Sequence, residues 1–288
     1  MKRYIPLLAL LLASLLYPQT KMDINNLIDR GGLLYAPNND KPYSGSVFDF
    51  HENGQKKFNG RYRNGIKNGK WKWWNEDGVI DSTGSYKNGL MHGQWKFYFS
   101  NGNLEGKGQY RDGNGTERGD TGISRHGRHG KWTFWYESGV LKTEQNWKNG
   151  KFEKLGTTWF ENGKKSYEAT YKDDVQIGKY TDWYDNGQKK QEGTWKDGET
   201  DGLVTMWYDN GQKKQEGTWK DGEADGLVTI WYDNGQKWQE GNYKDGEADG
   251  LVTMWYDNGQ KMYEGTFKNG DLISEKCWDE DGNEKDCS

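Results

Sequence analysis

The sequence predicts an all-β protein, an elongated antiparallel solenoid of β-hairpins in which ten repeats of about 24 residues follow one another. Three observations predict it. An Asp-Asn-Gly turn, or a variant of it, ends at Gly54, Gly78, Gly102, Gly139, Gly163, Gly187, Gly211, Gly235, Gly259 and Gly282, 24 residues apart except for 37 before Gly139 and 23 before Gly282. Between turns the chain is β-branched and aromatic, as in Leu227-Val228-Thr229-Ile230-Trp231-Tyr232, which suits strands. The composition agrees: hydrophobic residues are only 32%, yet there are 16 Trp, 18 Tyr and 41 Gly against 4 Pro. Such a chain builds no thick aliphatic core but has rings enough to cover a thin sheet.

From the N-terminus, residues 1–20 read as a secretory signal: Lys2 and Arg3, an apolar run from Ile5 to Leu16, then Tyr17-Pro18-Gln19-Thr20. The apolar run is short for a bilayer span. Small residues are missing just before Lys21, so an uncleaved membrane anchor is the alternative. Residues 21–40 form a lead-in, in which Asp23 to Arg30, closed by Gly31-Gly32, has the length of a short helix. Residues 41–288 are the repeat domain, and the 37-residue step places a 13-residue insertion near 114–126.

Each unit contains two strands and two turns. After Asp233-Asn234-Gly235 a second strand runs from Lys237 to Lys244, and Asp245-Gly246 turns the chain again, so consecutive strands pair antiparallel. Residues two apart share a face, which puts Trp71 with Trp73, Trp95 with Phe97 and Trp132 with Phe134 on the core side. The next ring in each unit, Trp74, Tyr98, Trp135, Trp159, Trp183, Trp207, Trp231 or Trp255, has the opposite parity and forms a ladder on the other face. Gly60, Gly84, Gly193, Gly217, Gly241 and Gly265 recur on the core side, where a missing side chain leaves room for a neighbouring ring.

These residues resemble MORN repeats. Asn88-Gly89-Leu90-Met91-His92-Gly93, then Trp95 and Ser100-Asn101-Gly102, is similar to the MORN pattern of an aromatic, a Gly-x-x-x-Gly step and a further aromatic before the next turn. Trp71, Trp95 and Trp132 stand where that pattern often has Gly, as in the bacterial MORN variants labelled YwqK-type antitoxins. The similarity runs from about Gly45 to Gly282. It implies a scaffold or interaction role with a protein partner, and the label implies neutralisation of a toxin.

No catalytic site emerges and no cofactor is expected, because the chain has no P-loop, Gly-x-Ser-x-Gly or His-Glu-x-x-His pattern. No metal site is expected either. His126 and His129, beside Arg125 and Arg128, read as a solvated loop, and Asp221-x-Glu223-x-Asp225 begins like an EF-hand loop but has Tyr232 where the last ligand belongs. Arg118-Gly119-Asp120 spells an adhesion tripeptide that a glycine-rich chain produces by chance.

Charge is graded along the chain. The unit ending at Gly78 has seven Lys and Arg against two Asp and Glu, net +5, whereas the last unit has three against six, net −3. Arg61, Arg63, Lys70 and Lys72 form the basic end, which suits an anionic membrane or a cell-wall glycan. The total of −4 excludes nucleic acid as the main partner. Cys277 and Cys287, five residues either side of Gly282, are expected to face each other across the last hairpin as a disulfide. The sequence therefore reads as an exported, non-enzymatic protein of the periplasm or cell surface that binds a protein or an envelope surface. The alternatives are a toxin-neutralising partner, and glycan or phospholipid binding through the aromatic and basic surfaces.

Overall fold

The computed structural model describes residues 21–117 and 121–287; the expected signal, residues 1–20, and the tripeptide at 118–120 lie outside them. The fold is all-β. From Gly45–Phe50 to Asp271–Trp278 each strand pairs antiparallel with the next in sequence, giving one long sheet of successive hairpins.

Two turn types alternate, and each follows from its residues. At Gly211 the amide donates to Tyr208 O (3.0 Å) and Tyr208 N to Gln212 O (2.9 Å), a three-residue hairpin loop whose last position has φ +86° and is therefore glycine. At the other end of the strands Asp221 and Gly222 both have positive φ, 47° and 84°, between the paired Lys220 and Glu223; Asp and Asn tolerate this region better than other side chains. Both sets of turns tie one unit to the next. The Asn210 amide donates to Asp233 O (2.9 Å) and the Asn234 amide to Asp257 O (3.0 Å), while Gly246 N donates to Ala224 O (3.0 Å) on the opposite edge.

The inner face holds the core. Trp71, Trp73, Trp95, Phe97, Trp132 and Phe134 stack in one run, centroids 5.4–6.3 Å apart and planes within 28° of parallel. Tyr62, Tyr86 and Tyr110 meet the stack edge-on. The recurring glycines make this possible: a Cβ built on Gly60, Gly84 or Gly108 would come within about 2.1 Å of the indole of Trp71, Trp95 or Trp132. Each indole N–H then donates to the carbonyl just after the glycine, Arg61 O, Ser85 O and Gln109 O, at 3.0–3.2 Å. In the later units Val204, Val228 and Val252 take the buried position of the tryptophans. The lost volume is met in part by Trp219, which leans over Gly217.

The chain differs from the sequence expectation in three places. Between Asp23 and Arg30 it makes only a single 3-10 turn, Ile24–Asn26, and then a hairpin of Ile28–Arg30 with Leu33–Tyr35; Gly31 and Gly32, both at positive φ, turn that hairpin instead of ending a helix. Lys21–Asp23 lies parallel to Gly45–Phe50 and covers part of that strand's edge. Around the insertion, Arg128 is no solvated loop residue but is 4% exposed. Its guanidinium donates to Ser124 O and Ile123 O, both at 2.9 Å, and lies over the rings of Trp132, Phe134 and Trp147 at 4.7–4.9 Å. With Tyr110 Oη also donating to Ser124 O, this folds the segment onto the inner face, where Ile123 joins the ring cluster. The third difference concerns the cysteines. Cys277 and Cys287 are bonded, but the residue opposite Cys277 is Lys285, and Cys287 reaches back from beyond the ladder, Cα–Cα 5.3 Å. The loop pairs Trp278, four residues before Gly282, with Glu284, two after it, so a count symmetric about the glycine misplaces the partner of Cys277 by two; in the other units a bulge such as Lys214 reduces that to one, and Met206 faces Gln215.

Candidate functional site

The opposite, outer face carries the predicted ladder. Trp74, Tyr98, Trp135, Trp159, Trp183, Trp207, Trp231 and Trp255 are all half-buried. They do not form a bare aromatic platform, because the protein's own lysines lie over six of the eight, all but Tyr98 and Trp159. Lys165 Nζ lies 5.6 Å from the Trp183 ring, Lys189 the same distance from Trp207, and Lys213 and Lys237 5.7 Å from Trp231 and Trp255. Each of these lysines also pairs with a glutamate three residues on, at 2.5–2.6 Å: Glu168, Glu192, Glu216 and Glu240. Thr157, Thr205 and Thr229 donate to Glu168, Glu216 and Glu240 in turn. The hydrogen bond from Lys237 holds the Glu240 carboxyl below its ordinary range. The outer face is thus a regular Trp-Lys-Glu-Thr ribbon in which a lysine of one unit lies on a tryptophan of the next.

The tyrosine that follows five of the eight ladder rings reinforces the register. Tyr136, Tyr184, Tyr208, Tyr232 and Tyr256 each donate Oη to a carbonyl of the following unit, Trp159, Trp207, Trp231, Trp255 and Trp278, at 2.7–2.9 Å. Trp278 continues the ladder beyond the eight predicted rings, with Lys261 over it at 5.4 Å. A tyrosine repeated at one offset from the turn glycine was the sequence signal for these bonds.

At the basic end the arrangement changes. Lys72 Nζ stands 4.9 Å from the Trp74 ring, and Lys70 and Lys72 line one shallow trough with Asn59, Thr83 and Ser85. Arg61 borders this trough across Gly69, whereas Arg63 sits apart, at the second turn, opposite Ile66. Among the described residues none of these four cations has a carboxylate within ion-pair distance, unlike the lysines of the later units.

A further outer-face row was not anticipated. Leu155, Leu203, Leu227 and Leu251 occupy the same place in their units, two residues before the buried Thr157, Thr205, Thr229 and Thr253, and are 47–58% exposed.

With this geometry the comparison with known proteins is direct. The MORN repeat variant family matches residues 67–88, 91–112, 128–149, 153–173, 176–197, 200–221, 224–245 and 248–269, more than half of the chain. The chain belongs to the MORN repeat variant family. MORN repeats commonly bind proteins or membranes and are generally non-enzymatic. No curated protein matches the chain. Among solved structures it is similar to a chain in "Crystal Structure of TcdB2-TccC3-Cdc42", at 11% identity and a TM-score of 0.20; the match covers 85% of this MORN chain and only 16% of the other.

Proposed function

We propose that this MORN chain is an exported, non-enzymatic rod that binds a protein partner at the cell envelope through the outer face of its C-terminal units. The observation that carries the reading is the row of Leu155, Leu203, Leu227 and Leu251. Large aliphatic side chains half open to water, repeated on a stiff face and flanked by ion-paired lysines and glutamates, have the apolar centre and polar rim of a protein interface. Export is supported by the N-terminal sequence and by the Cys277–Cys287 bond, since such bonds persist in oxidising compartments.

A photo-crosslinking amino acid at Leu227, in the exported protein, tests the reading. A discrete adduct at Leu227, none from Asp233 in the neighbouring turn, and loss of the adduct in L203K/L251K supports it. Equal labelling from both positions, or none from Leu227, counts against it.

The unpaired cations Arg61, Arg63, Lys70 and Lys72 favour a second contact, with an anionic membrane or wall glycan. Changing all four to Gln then abolishes sedimentation with anionic liposomes or wall fragments, and salt weakens the unchanged protein in the same way. Sedimentation insensitive to both rejects that contact. An antitoxin role rests on the family resemblance alone.

A further inference from the structure

On the inner face, beneath the insertion, lies a cleft of about 470 Å³, a volume suited to a small ligand. Trp73, Tyr86, Trp95 and Phe97 line it on the sheet side, and Ile123 and Ser124 on the side of the insertion. Asp81 and Glu105 also line it, and Lys67 closes one end. Both occupy the bulged position three residues after a turn glycine, which has no partner across the ladder, in consecutive units. Elsewhere that position holds Lys57, Lys142, Lys190 or Lys214, or an uncharged residue such as Ser166, Trp238 or Met262. The two carboxylates therefore reverse the local charge only where the cleft lies.

The ring stack itself shows what its faces accept. At one end Lys67 Nζ sits 4.8 Å from the Trp71 ring and 5.1 Å from Tyr86; at the other, Arg128 covers Trp132 and Phe134. Among the described residues neither cation has a carboxylate partner, so rings hold both. Between these ends Trp95 is closed over by its neighbours, 2% exposed, but Phe97 is half open and carries no cation of the protein's own among the described residues. Here the two carboxylates stand. Glu105 makes no hydrogen bond or ion pair with any described residue, and Asp81 accepts only from Ser82 Oγ, at 3.0 Å. Burial, and Asp81 beside it, push the Glu105 carboxyl above its ordinary range, with Lys142 opposing in part.

We propose that this cleft binds an organic ammonium cation, seated on Phe97 between Asp81 and Glu105. Phe97 supplies attraction through its negative face, and the carboxylates supply charge that is countered only in part, by Lys142 beside Glu105. The cation comes either from a free amine or from a lysine side chain of a peptide. Lys67 and Arg128 fix the length of the site by occupying the rings on either side. Because Glu105 is held toward its protonated form, affinity falls as pH drops through its raised pKa.

Calorimetric titration of the full disulfide-bonded chain tests this with tetramethylammonium, with choline, with the neutral choline isostere 3,3-dimethylbutan-1-ol and with a short lysine peptide. The expected result is binding of an ammonium compound, with choline roughly tenfold or more above its isostere. D81N/E105Q then loses that preference while its circular dichroism and melting are unchanged, because neither carboxylate supports the fold. Tighter binding of choline and tetramethylammonium assigns a free quaternary amine, and tighter binding of the peptide assigns a side chain. Equal affinity for choline and its isostere, full affinity in D81N/E105Q, or no binding of any of the ammonium compounds overturns the proposal.

Discussion

Trp95 lies flat over Gly84 and donates its indole N–H to Ser85 O at 3.1 Å, so one ring is fixed by a side chain that is missing and a carbonyl that is free. The same pairing joins Trp71 to Gly60 and Trp132 to Gly108. It explains how a chain with few aliphatic residues keeps a dry core in a single sheet. The rings lie along the sheet, and glycine sets the height at which they lie.

Gly84→Ala therefore destabilises far more than alanine's ordinary effect in a strand. The added methyl collides with the indole, and overpacking of this kind costs about 1–3 kcal/mol, with the Ser85 bond lost in addition. Urea unfolding reads the change. Gly89→Asn, at a turn glycine where nothing crowds a Cβ and αL is tolerated by asparagine, serves as the mild control. Equal midpoints for the two variants would show that Trp95 does not rest on Gly84.

Arg128 latches the insertion. Replacing it with Met keeps much of its apolar stem but removes both carbonyl bonds and the charge over three rings. The Ile123 carbonyl then loses its side-chain donor, which costs about 1–3 kcal/mol for a buried group left unsatisfied, while the Ser124 carbonyl keeps Tyr110 Oη. Limited proteolysis should cut the R128M insertion faster than the unchanged one, with the repeats on either side intact. Unchanged cleavage would mean that the segment is held by something other than Arg128.

Alkali should destabilise the ring stack. Burial raises the Tyr86 hydroxyl to about 12 from an ordinary 10.0, and burial also raises Tyr110 to about 12. A raised pKa on an acid means that the folded state prefers the neutral form. Its contribution is complete below pH 10 and is lost as pH rises from 10 toward 12. Tyr86→Phe removes one ionisation, so the melting temperature of that variant should fall less between pH 9 and pH 12, two pH values chosen to bracket the window. Parallel pH profiles for both proteins would sink this assignment.

Much of this was legible in the sequence because it rests on counting. A 24-residue spacing of turn glycines gives the repeat, and the two-residue period of a strand gives the faces of Trp71, Trp73 and Trp74 without reference to any partner. What depends on a bulge was not legible. Lys214 is such a bulge, and the turn itself is lopsided: Trp278, four before Gly282, pairs with Glu284, two after it, so Cys277 faces Lys285 and not Cys287. Contacts between units were also hidden. Lys189 meets Trp207 only because their two strands, Lys189–Lys196 and Gly202–Trp207, pair side by side, and no local pattern marks that pair. Arg128 misled for a related reason: beside His126 and Arg125 it reads as solvent-facing, and only the ring stack under it makes burial of a guanidinium favourable. The cleft at Asp81 and Glu105 had one faint sequence signal, a carboxylate at a position that is often lysine.

Deletion of one whole unit tests the central claim, that this MORN chain is a sum of equivalent 24-residue units each braced chiefly by its neighbours. Removing Tyr208 to Trp231 joins Trp207 to Tyr232, which preserves strand direction and face, keeps the Tyr184–Trp207 and Tyr232–Trp255 bonds on either side of the seam, and offers Asn186 the carbonyl of Asp233 in place of Asp209. Removing only Tyr208 to Trp219 joins strands that should run in opposite directions. Circular dichroism with thermal melting reads both. The account predicts a folded protein with a slightly smaller β signal and a cooperative melt for the whole-unit deletion, and loss of that melt for the half-unit deletion. Equal loss of β signal in the two would contradict it.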